Sequence, residues 1–173
     1  NIYEPQDLGL SVKWGQVNVG AGNPLSGGTH FAWGEVSGKS GMMHDSYYIW
    51  RTYKHCDGAE SNMIKYNEED GLTALEAVDD AATMNMGENW RTPTREEWQE
   101  LIDSCVWTWY TGYYKVTSKV NNKSIFLYEG GCSKGGGRSL NGLYYWSSSL
   151  YNQDVRRAYA LYRNGKVSND YER

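Results

Sequence analysis

Leu8-Gly-Leu-Ser-Val-Lys-Trp14 puts an apolar side chain at every second position, the period of a strand with one buried face. Val17-Asn18-Val19 continues the pattern, and residues 20–28, rich in Gly, Asn, Pro and Ser, predict a loop. Phe31-Ala-Trp-Gly-Glu35 reads as a short apolar turn. Residues 37–71 scatter Tyr, Trp50, His44 and His55 before an acidic Glu68-Glu69-Asp70-Gly71, and predict a long ordered loop. Residues 75–84 predict a first helix with Leu75, Val78 and Ala82 on one face and Gly87 as its stop. A second helix opens at Thr94. Glu97 three residues later completes a capping box, and Trp98, Leu101, Ile102 and Cys105 recur at helical spacing.

Beyond the second helix the pattern is β. Residues 113–118 and 124–128 flank Asn121-Asn122, a hairpin signal. A Gly-rich loop spans 130–138, and 143–147 predict a strand. Residues 158–163 and 166–168 flank Asn164-Gly165, the strongest short hairpin signal in the chain. Two helices beside several short strands predict an α+β domain, and 173 residues without a linker suit one domain over 1–173.

Composition sharpens this picture. Eight Trp and fifteen Tyr stand against two Phe, so most rings carry a polar group that needs a partner. The net charge is -4 with no basic tract, which disfavours nucleic acid. No apolar run approaches membrane-spanning length. The chain begins at Asn1 without Met or a signal peptide, from which a processed N-terminus is expected. Cys56, Cys105 and Cys132 leave two states open, one disulfide with a free thiol or three reduced thiols.

The richest candidate chemistry lies in residues 150–173. Tyr151, Asn152, Asp154, Arg156, Arg157, Tyr159, Tyr162, Arg163, Asn169, Asp170 and Tyr171 combine stiff aromatic contact area with adaptable polar groups, the composition of a paratope. An ordinary solvated hairpin accounts for the same residues, because exposed Tyr and polar side chains are common on strands. Strand alternation puts Tyr159, Leu161 and Arg163 on one side and Ala158, Ala160 and Tyr162 on the other, so one face is expected to be core. The Gly-rich loop lacks the Gly-Lys-Ser/Thr and following helix of a phosphate loop. His30, His44 and His55 have no metal-ligand spacing, and no calcium loop is present. Trp107 and Trp109 read first as core and rim. Asp79, Asp80, Arg91 and Thr94 read as helix caps and loop ties. No catalytic residue, metal or cofactor is assigned.

The motifs Asp7-Leu-Gly-Leu-Ser-Val-Lys-Trp14, Asn18-Val-Gly-Ala21, Phe31-Ala-Trp-Gly-Glu35, Asp79-Asp-Ala-Ala-Thr83, Trp90-Arg-Thr-Pro-Thr94, Glu100-Leu-Ile-Asp103, Ser124-Ile-Phe-Leu127 and Tyr145-Trp-Ser-Ser-Ser149 occur in that order. Together they resemble a surface-domain family abundant in gut Bacteroidetes and Fibrobacter, related to the formylglycine-generating-enzyme type of C-type lectin-like fold. The resemblance implies two helices packed on a small, twisted, mainly antiparallel sheet with long loops. It further implies likeness to the variable proteins of diversity-generating retroelements, in which a diversified C-terminal segment, here 150–173, displays a ligand-binding face. On this resemblance the chain is expected to be a non-enzymatic adhesion or recognition domain. Its expected place is outside the cell or on its surface, as a lipoprotein with its N-terminus removed, facing a protein or glycan ligand on another cell or phage. A structural surface or pilus-like module is the alternative. A catalytic relative is disfavoured, because formylglycine-generating enzymes use a close pair of cysteines. The family pattern continues into a further strand that pairs with the N-terminal strand. Its absence after Arg173 raises the expectation of self-association through the edge at residues 8–14.

Overall fold

The computed structural model describes residues 2–39, 48–134, 137–139, 142–162 and 166–173; for 134, 137–139 and 166–172 it describes the backbone alone. His44, Arg163 and Asn164-Gly165 lie outside these residues. Among the described residues the chain is a mixed α+β structure of two helices and four small antiparallel sheets, where one sheet was expected. The helices are α1, Ala81–Met86, and α2, Arg95–Ser104. The strands are β1 (Pro5–Gln6), β2 (Trp14–Gly15), β3 (Cys105–Tyr110), β4 (Tyr113–Ser118), β5 (Ser124–Tyr128), β6 (Cys132–Lys134), β7 (Gly137–Ser139), β8 (Tyr144–Leu150), β9 (Arg157–Tyr162) and β10 (Lys166–Glu172). Their orders are β1-β2, β3-β4-β5, β6-β7 and β10-β9-β8.

Residues 8–14 are not the strand that their alternation predicts. β1 and β2 pair with each other, and the chain between them bends. Gly9 sits at φ 71°, where its N–H donates to Asp7 Oδ1 at 2.8 Å, and the Ser11 N–H donates to Glu100 Oε1 at 2.7 Å. Leu8 is still wholly buried, with Leu10 and Val12 packed on the same core. The alternation thus records burial in a bent connection. The N-terminal edge is correspondingly a two-residue ribbon.

The first helix is shorter and later than its pattern suggests. Ala77–Asp79 form a 3-10 turn, and Asp80 breaks the run at φ -92°, ψ 115°. The Asp80 carboxylate accepts the Ala82 and Thr83 N–H groups, so α1 starts behind an N-cap and Val78 faces solvent. Gly87, at φ 112°, ends it as expected. α2 has the anticipated capping box: Thr94 Oγ1 accepts the Glu97 N–H at 3.1 Å, and Glu97 Oε1 accepts the Thr94 N–H at 2.8 Å. Arg91 clamps the same carboxylate at 2.6 and 2.8 Å. Thr94→Ala should therefore cost about 1 kcal/mol in urea unfolding, and an unchanged stability would show that the cap contributes nothing.

α2 passes directly into β3, a strand that no turn signal announces although Trp107 and Trp109 alternate there. β4 and β5 form the expected hairpin, with Asn122 at φ 60° in the turn. The Gly-rich segment is not wholly a loop, since β6 and β7 pair within it. All three cysteines are free thiols.

Two apolar clusters hold these pieces. The larger joins Leu8, Trp14, Trp98, Leu101, Leu127 and Leu161, so that α2 seats on both three-stranded sheets. The smaller gathers Trp33, Tyr66, Leu150 and Ala158. Polar ring atoms stitch the layers: Trp33 Nε1 donates to Ser147 O, and Trp146 Nε1 to Phe31 O.

Candidate functional site

The turn from β8 to β9 carries most of the candidate residues. Tyr151 N–H donates to Arg157 O, and Arg157 N–H donates to Asp154 O, which closes the turn. Asp154 organises it. Its carboxylate accepts the Arg156 N–H at 3.1 Å and the Arg156 guanidinium at 2.9 Å through both oxygens, and Arg157 Nε lies 3.4 Å away. The Arg156 hydrogen bond holds the Asp154 carboxyl below its ordinary range. Asn152, Gln153 and Arg156 are exposed, and Tyr151 Oη donates to Gln153 Oε1 at 2.9 Å.

Tyr159 extends this face from β9. Its ring meets Tyr151 edge-on at 5.6 Å, and the Arg95 guanidinium stacks 4.4 Å from its centroid. Arg95 Nη1 also donates to the Tyr159 hydroxyl at 2.9 Å. Arg95 is fixed in turn, because its N–H donates to Ser149 Oγ. Arg95 and Gln153 are not among the sequence-based candidates. Gln153 falls within the candidate stretch, whereas nothing in the local sequence brings Arg95, 64 residues away, to Tyr159.

The candidates do not all converge. Tyr151, Asn152, Asp154, Arg156, Arg157 and Tyr159 share one contiguous surface. Tyr162 lies apart, with its ring 4.9 Å from Tyr144. Burial first, then the hydrogen bond between the two hydroxyls, pushes the Tyr144 pKa up to about 12. β10 pairs with β9 with a register shift between Ser168 and Tyr171, which puts Asn169 and Asp170 at a bulge; the side chains of Asn169, Asp170 and Tyr171 are outside the described set. On β9, Ala158 and Ala160 are buried on one side, while on the other Leu161 is buried beside the half-buried Tyr159.

Asp79 centres a second polar group. Lys54 and Lys65 each approach its carboxylate at 2.6 Å, and the Tyr66 hydroxyl donates to it at 2.8 Å. Beside it the His55 ring lies buried, with Nε2 2.8 Å from Gly34 O. This arrangement ties the long loop to the start of α1 and leaves no oxygen of Asp79 open. Among the described residues no group of three or more His, Cys, Asp or Glu side chains converges as metal ligands would, and no helix is long and apolar enough to cross a membrane.

No family model, curated protein or solved structure matches the chain. Its function is therefore inferred from the geometry of this surface.

Proposed function

We propose that this chain is a non-enzymatic recognition domain of C-type lectin-like architecture, working at a cell surface or outside the cell. It binds a protein or glycan ligand through the β8–β9 turn. The observation that carries the reading is the contiguous Tyr151, Asn152, Gln153 and Arg156 surface, backed by Tyr159 and Arg95. Its tip is polar and exposed, so side chains there can change without disturbing the core. Its base is held by the Asp154 hydrogen bonds and the Arg95 stack, so little order must be gained on binding. The resemblance to retroelement-diversified proteins supports the same stretch as the variable one.

The test begins with glycan and cell-surface protein arrays probed with the whole chain. Once a ligand is found, the combined Tyr151→Ala, Asn152→Ala and Arg156→Ala variant should weaken binding at least a hundredfold, at about 1–4 kcal/mol for each anchor. Its melting temperature should stay within about 3 °C, the scale of one surface-sized perturbation. Undiminished binding by this variant would sink the proposal. In sibling genes, substitutions should concentrate in residues 150–173; variation spread evenly along the chain would remove the diversification reading.

A further inference from the structure

β3 is the end strand of its sheet, and β4 is the strand that pairs with it. Among the described residues no hydrogen bond outside that ladder reaches the backbone of residues 106–110. In an antiparallel pair alternate residues turn their N–H and C=O groups away from the partner, so the free side of β3 presents an unpaired row. Natural sheets guard such an edge with a short strand, a charge, a proline or a bulge. β3 has none of these. It runs six residues in unbroken register with β4, and residues 104–114 hold no charged side chain and no proline. Val106, Trp109 and Tyr110 are 53%, 50% and 44% exposed, so apolar surface accompanies the open edge. The N-terminal ribbon, where self-association was expected, offers strands of two residues.

Two features point to a second copy of the chain as the occupant. The first is symmetry. Residues opposed across antiparallel strands share a face, so a two-fold axis at Thr108 sets Trp107 against Trp109, Val106 against Tyr110 and Thr108 against itself. Val106-Trp-Thr-Trp-Tyr110 is nearly palindromic about that axis. Each opposition is then an aromatic pair, an aromatic–β-branched pair or a Thr–Thr pair, the combinations that stabilise sheets. The rings are already placed. Trp107 and Trp109 pack on Tyr114 at 5.6 and 4.8 Å, Trp107 Nε1 donates to Leu101 O, and Tyr110 stacks on Tyr113 at 5.2 Å. The second feature is charge. Each copy carries -4 overall, so two copies repel, and the uncharged stretch 104–114 lets them meet without setting like charges face to face. Lys115 stands one strand behind Thr108. Across the joined edges the two Lys115 would be three strand spacings apart, about 14 Å, beyond the roughly 8 Å screening length.

We propose that two copies of the chain join β3 to β3 about a two-fold axis at Thr108, which extends the sheet to β5-β4-β3-β3-β4-β5. The pairing is isologous, so it consumes the open edge and closes at two copies. It involves none of the residues of the β8–β9 turn and does not rest on the recognition reading.

Sedimentation velocity on the whole chain, from about 1 µM to about 1 mM, covers weak to moderate self-association. The mass should rise from 19.7 kDa towards twice that value. Thr108→Glu should weaken the dimer at least tenfold, because it sets two carboxylates opposite each other across the axis. Within one chain the new carboxylate lies opposite Lys115, so the melting temperature should not fall. Ile64→Glu, an equal change of charge at another exposed apolar residue, should leave dimerisation unchanged. Hydrogen exchange on the native chain needs no variant: amides within residues 106–110 should gain protection as concentration rises. The proposal is overturned if the native chain stays at 19.7 kDa throughout, or if Thr108→Glu dimerises like the native chain. It is overturned equally if a dimer forms without added protection in residues 106–110.

Discussion

Trp98→Ala is expected to lower the unfolding free energy by about 4 kcal/mol, within the range for deleting a buried indole. Trp98 projects from α2 into the larger core, 3% exposed, with its ring 4.9 Å from Trp14 and 5.7 Å from Tyr145. Its Nε1 donates to Trp146 O at 3.2 Å, so one side chain joins the helix, the N-terminal ribbon and β8. Truncation removes these ring contacts and the hydrogen bond together. At about 3 °C per kcal/mol for a domain of this size, the melting temperature should fall by about 12 °C. Urea unfolding measures the change directly. A loss below about 1 kcal/mol, the level of a surface substitution, would show that α2 is not anchored through this residue.

The second large effect concerns Asp79 and acid. Burial opposes its ionisation, but hydrogen bonds from Lys54, Lys65 and Tyr66 outweigh that and hold its pKa at about 2. A carboxyl with a depressed native pKa stabilises the fold above its unfolded value. That contribution is lost as pH falls from about 5 towards 2, and it amounts to about 2 kcal/mol. His55 acts in a higher window. Burial lowers its pKa below 6.5, so it stays neutral in the fold while the unfolded chain takes up a proton. Stability should thus begin to fall below about pH 6.5 and fall again below about pH 4. Asp79→Asn should cost about 3 kcal/mol at pH 7, the low end for breaking a buried pair, because the two lysine heads are partly solvated. The variant should also show a smaller lower acid step, since the depressed carboxyls of Glu97 and Asp154 remain, and retain the upper one. A variant with an unchanged stability–pH curve below pH 4 would contradict the assignment.

Where one local rule dominated, the sequence could be read directly. Thr94 and Glu97 announce α2 because a capping box needs only residues three apart. The β4–β5 hairpin follows from alternation on both sides of Asn121-Asn122. Elsewhere local rules competed. Residues 8–14 alternate like a strand, yet the Asp7–Gly9 turn and the Glu100 contact with Ser11 bend the chain. Asp80 is a tolerable helix residue in a pattern, but as a cap it ends the 3-10 turn and starts α1 one step later. β3 is hidden because no turn residue separates it from the helix before it.

The sequence by itself determined an α+β chain, its principal helix, its hairpins and a Tyr/Arg-rich closing segment, since each depends on neighbours a few residues apart. Only the tertiary structure decided which of those closing residues act together. It put Arg95 on Tyr159, set Tyr162 against Tyr144 and buried Leu161 on the same side of β9 as Tyr159. Those outcomes depend on how separately formed layers meet, and on which buried donors find acceptors there, neither of which a periodicity along one strand encodes.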